Sequence, residues 1–111
     1  MHYALEKKAR DIVVLNLKGL SDVADYFVIC SADSDTHVKA IAESIDVGVK
    51  SEGHKVYKKE GMNNLQWVLI DLVDVVVHVF LQRTREYYNL ERLWGDAEIE
   101  TIVESHMPEQ E

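Results

Sequence analysis

The 111-residue sequence predicts an α+β fold, with helices packed on a mixed five-stranded sheet in the order α-β-β-α-β-β-β-α. Three observations carry this reading. From residue 11 the apolar pattern is strand-like, changes to a period of 3.6 across residues 35–52, and then returns to strand-like alternation. Two apolar runs, 66–72 and 75–81, are separated only by Val73 and Asp74, which marks a hairpin. An amphipathic stretch, 83–97, follows the hairpin directly. With 47% hydrophobic residues the chain matches one domain with one modest core. That domain is set at residues 1–96, with 97–111 as a flexible acidic tail.

Residues 1–10 place Leu5 and Ala9 at helical spacing among charges, as a short helix with a thin apolar stripe does. The run 11–17, DIVVLNL, is apolar on both alternating faces, and so is 25–32, DYFVICSA; both read as strands covered on two sides. Val38, Ile41, Ala42, Ile45 and Val49 then form one helical stripe. Ser34 or Asp35 is placed to cap that helix, and Gly53 to end it in the left-handed region. Residues 54–59, HKVYKK, predict a short charged strand near an edge, followed by the polar turn EGMNN. Lys55, Lys58 and Lys59 read as a solvated edge.

The hairpin is the most informative segment. A two-residue turn at Val73 and Asp74 pairs Trp67 with Phe80, Leu69 with His78 and Asp71 with Val76. One face then holds Val68, Ile70, Leu72, Val75, Val77 and Val79, all aliphatic and expected in the core. The other mixes aromatic rings with an imidazole and a carboxylate, a surface suited to a partly polar cover. In the segment after it, Tyr87, Leu90 and Trp94 fall at i, i+3 and i+7, so one or two short helices can pack beside Trp67, with Gly95 as the stop. Two Trp, two Tyr, Phe80 and Arg85 within 28 residues is the composition of an interface centre.

The formal net charge is −8, and five of the 20 acidic residues fall in 97–111, a stretch without Lys or Arg. The remaining 15 acidic and 12 basic residues give −3. Such a chain has no positive surplus for phosphates, which argues against direct nucleic-acid binding and for a basic protein partner. No secretory signal or membrane-length apolar run occurs, so a soluble cytoplasmic protein is expected. Cys30, the only cysteine, sits in an apolar run and reads as a buried small hydrophobe.

Signals for chemistry are sparse. The five histidines lack zinc-site spacing, no glycine-rich phosphate loop occurs, and no serine stands in a nucleophile elbow. The reading is therefore a non-enzyme, without cofactor or metal. The one rival is a carboxylate cluster: Asp33 and Asp35 follow a buried strand and, with Asp71, would hold the divalent metal of a nucleotidyltransferase. The turn and cap of the following helix explain every residue of that segment without a metal, and that reading is preferred for Asp33 and Asp35. His78 alone on a strand reads as a hydrogen-bonded structural residue.

Four blocks, DYFVI, S-x-T-H-V-K-A-I-A, W-V-L-I-D-L-x-D-V-V-V-H-V-F and R-E-Y-Y-N-L-E-R-L-W-G-D-A, closely resemble the Iojap-like ribosomal silencing factor family across residues 4–97. The resemblance implies a nucleotidyltransferase-like, usually homodimeric α+β domain without enzymatic activity. It implies binding to protein fourteen of the large ribosomal subunit, which blocks the small subunit from joining and represses translation. By motif position the binding surface comprises Trp67, Asp74, His78, Arg85, Tyr88, Leu90, Leu93 and Trp94. Two departures from the family pattern stand out. Val73 occupies a position where relatives commonly have glycine, which predicts a turn without positive φ, and Asp33 and Asp35 replace residues that are usually uncharged.

Overall fold

The computed structural model describes residues 8–22 and 24–102. The first predicted helix falls mostly outside them, and its described end is not helical: Lys8 has φ 60° and Arg10 already opens a strand. Strands β1 (Arg10–Asn16) and β2 (Tyr26–Ala32) precede helix α1 (Asp35–Ser51). Strands β3 (Lys58–Glu60), β4 (Trp67–Asp71) and β5 (Val75–Leu81) follow. Two short helices, α2 (Gln82–Tyr88) and α3 (Leu90–Leu93), lead to β6 (Glu98–Ile102).

The sheet order is β3-β4-β5-β2-β1-β6, with β2 and β5 parallel and every other pair antiparallel. It is thus a mixed sheet of six strands, where the sequence predicts five. The extra strand lies inside the acidic stretch read as a tail. Glu98–Ile102 pairs with β1 from Asn16↔Glu98 to Ile12↔Ile102, and Ile102 packs onto the main core. Residues 103–111 lie outside the described residues.

Helix α1 behaves as its stripe requires. Ser34 Oγ accepts from His37 N at 3.2 Å, and Val38, Ile41, Ala42 and Ile45 are buried. At its end Gly53, at φ 89°, donates to Lys50 O and His54 N donates to Val49 O, the paired closure that a left-handed glycine permits. The stripe packs on Val28, Cys30, Val68, Ile70, Val77 and Val79. Cys30 is fully buried, and burial pushes its thiol up to about 12, so it is the inert hydrophobe expected.

Strand β3 sits at the sheet edge, as predicted, but starts four residues late. Lys58 faces Asp71, the last residue of β4, and the pairing ends there, with Tyr57 N donating to Asp71 O at 2.8 Å. The residues of β3 are exposed, and its lysines pair within the chain: Lys58 with Glu60 and Lys59 with Asp46 of α1, both at 2.8 Å.

A candidate partner-binding surface on the second face of the sheet

The predicted hairpin register is the observed one: Trp67↔Phe80, Leu69↔His78 and Asp71↔Val76. Leu72 and Val75 close the two-residue turn, and Asp74 N donates to Leu72 O at 3.1 Å across Val73. That γ-turn requires positive φ at its centre, and Val73 supplies it at 78°, contrary to the expectation from its branched side chain. The compensation is local. Asp71 Oδ1 accepts from Val73 N at 2.8 Å, and the Val73 side chain stays exposed.

The second face is not bare. Phe80 is fully buried, and with Leu15, Leu17, Ile29 and Leu90 it forms a second, smaller core, rimmed by Phe27, Trp67 and Trp94. Residues 82–97 of the chain itself supply part of the cover. Trp67 is half-buried and its ring lies 4.8 Å from Phe80, 4.8 Å from Tyr88 and 5.8 Å from His78. Trp67 Nε1 donates to His78 Nδ1 at 3.0 Å. His78 is 3% exposed, and burial lowers its pKa to about 4, so at neutral pH it is an uncharged acceptor. Phe27 stands edge-on to His78 at 4.4 Å and to Trp94 at 6.1 Å.

Arg85 links this surface to the sheet. Its Nη1 donates to Asp11 O at 2.6 Å and Ser31 Oγ at 2.8 Å, while Nη2 pairs with Glu91 at 2.8 Å. One buried guanidinium thus fixes α2 against β1, β2 and α3. Asn89 then bends the chain: it takes φ 47° as the last cap of α2, and its Oδ1 accepts from Arg92 N at the start of α3. This bend breaks the predicted stripe. Leu90 turns inward, but Tyr87 is 82% exposed instead of packing beside it.

Of the sequence-predicted site residues, Trp67 and Tyr88 are in ring contact, Leu93 lines one groove with Tyr88, and Trp94 packs on the same small core as Trp67; Tyr88 is 50% and Leu93 71% exposed. His78, Arg85 and Leu90 lie beneath them, buried. Asp74 is exposed in the β4–β5 turn, about 20 Å along the strand from Phe80 at roughly 3.3 Å per residue. An open groove lined by Glu86, Tyr87, Tyr88, Asn89, Arg92 and Leu93 adjoins the cluster. Sequence reasoning set Tyr87 in a packing stripe and not on the binding surface, and it missed Phe27. Alternation along β2 marks Phe27 as sharing a face with Ile29, but only the β2–β5 pairing puts it against His78.

The rival carboxylates do not converge. Asp33 pairs with Arg10 at 2.6 Å, and Asp35 Oδ1 accepts from Thr36 N in the first turn of α1. Asp71 holds the hairpin turn at the opposite end of the sheet. Among the described residues no group of three or more His, Cys, Asp or Glu is arranged to hold a metal ion. No helix among them is long and apolar enough to cross a membrane.

Comparison with known proteins gives one answer. The family model described as "Ribosomal silencing factor during starvation" matches residues 1–111. A ribosomal silencing factor of Bacillus subtilis is 53% identical over 92 residues, covering 83% of this chain and 78% of the relative. A crystal structure from Bacillus halodurans superposes with a TM-score of 0.78 at 42% identity, covering 92% of this chain and 90% of the other. One from Chromobacterium violaceum gives 0.83 at 34% identity, covering 96% and 89%.

Proposed function

The chain belongs to the family of ribosomal silencing factors, and from that membership we propose that it binds protein fourteen of the large ribosomal subunit and blocks the small subunit from joining, so repressing translation. The observation that supports this most is the surface where half-buried Trp67 and Trp94 meet solvent beside exposed Tyr88 and Leu93 on a braced sheet face. Large rigid rings over a packed base are what concentrates binding energy at a protein interface. His78, Arg85 and Leu90 serve that surface from below, and Asp74 is a second contact at the far end of the same hairpin. A net charge of −8 suits a basic ribosomal protein. No transfer chemistry is attached to the nucleotidyltransferase kinship that the resemblance implies, and the working unit is a cytoplasmic homodimer.

The test uses purified subunits. Wild-type protein should co-sediment with large subunits and suppress formation of the joined ribosome. Trp67→Ala and Trp94→Ala should each weaken binding by about 2 kcal/mol with folding intact. Binding that leaves subunit joining unaffected, or no binding, overturns the proposal.

A further inference from the structure

We infer that His78 is a positioning residue for this surface: it touches no partner, and its Nδ1 fixes the plane of the Trp67 ring by accepting the indole N–H at 3.0 Å. The inference rests on the functional reading above. A half-buried tryptophan at a sheet rim has open space on one side, and its single N–H is the one polar handle that can select an orientation. Here that handle is held. The imidazole is itself immobilised, edge-on to Phe27 at 4.4 Å and parallel to Phe80 at 6.1 Å. Trp67 then presents its ring beside Tyr88 at 4.8 Å.

The second nitrogen of the imidazole argues the same way. An acceptor at Nδ1 places the proton on Nε2, and Nε2 is buried without a hydrogen-bond partner among the described residues. Phenylalanine or leucine would fill the same strand position and bury no orphaned N–H. The cost of that N–H is offset by what the imidazole supplies, an acceptor under Trp67. At 3% exposure the ring meets no docked protein, so it acts on binding through its neighbours, of which Trp67 is the one it holds by a hydrogen bond. Fixing the ring in advance removes a rotamer cost from association.

Indole N–H resonances of ¹⁵N-labelled protein test this, with the Trp67 signal identified by its loss in Trp67→Phe. In wild type and His78→Asn, whose amide oxygen takes the place of Nδ1, the signal should lie downfield and exchange slowly. In His78→Leu it should move upfield and exchange fast. Large-subunit binding should weaken about tenfold in His78→Leu and less than threefold in His78→Asn. An unmoved signal in His78→Leu overturns the inference, as does a moved signal with wild-type affinity while Trp67→Ala still loses binding. If wild type binds no large subunits, the functional reading falls and the positioning role with it, although the resonance still reports the bond. Should His78→Leu fail to fold, Trp67→benzothienylalanine keeps the ring shape and removes the donor. It should show the same tenfold loss, and unchanged affinity would overturn the inference.

Discussion

Burying an imidazole costs free energy once the ring is charged, and this gives His78 a pH signature. Its folded pKa, about 4, lies below the ordinary 6.5. Between those values the unfolded chain takes up a proton that the folded state refuses, so stability is complete above pH 6.5 and falls on acidification. The full loss is about 3 kcal/mol. Asp46 acts in a different window. Burial pushes its carboxyl up, but hydrogen bonds and charges from Lys59 and Lys50 outweigh this and hold it below 3.8, so its contribution is lost only below that value. Denaturant midpoints should therefore fall between pH 7 and 4.5 in wild type, with a visibly flatter limb in His78→Asn. Equal slopes would contradict the assignment. Val73 makes a second residue-scale prediction. A β-branched residue at φ 78° is strained, and Val73→Gly should gain about 1 kcal/mol in denaturation, relief of strain exceeding the added chain entropy.

At the scale of elements, β6 decides whether the sheet ends at residue 96. Removing residues 97–111 uncovers β1 along the whole ladder from Ile12 to Asn16 and takes Ala97 and Ile102 from the two cores. The truncated chain should lose at least about 2 kcal/mol of unfolding free energy; an unchanged value would make β6 dispensable. Elements with strong periodic signals were legible in the sequence: α1 with its Ser34 cap, and the hairpin down to each cross-strand pair. Strand β6 was not, because Glu98 and Glu100 mask a short edge strand whose partner is about 85 residues earlier. Nor was the bend at Asn89, which depends on a left-handed residue that the stripe of Tyr87, Leu90 and Trp94 does not reveal.

Across the whole molecule, the surface is assembled by contacts distant in sequence. Trp67 and His78 share a hairpin, so their meeting could be read from alternation. Phe27 meets His78 only because β2 lies beside β5, and Arg85 reaches Asp11 and Ser31 across 74 and 54 positions. Neither the strand order nor the buried role of Arg85 is encoded in local pattern, which is why Arg85 reads in sequence as an interface residue and in structure as a brace. The central claim is that this braced face meets protein fourteen. The most direct measurement places the photo-crosslinker benzoylphenylalanine at Leu93, and as a control at Val47 on the outer side of α1; both positions are well exposed. On irradiation with purified large subunits, Leu93 should yield an adduct with protein fourteen and Val47 should not. An adduct from Leu93 to another component, or equal yields from both positions, would contradict the claim.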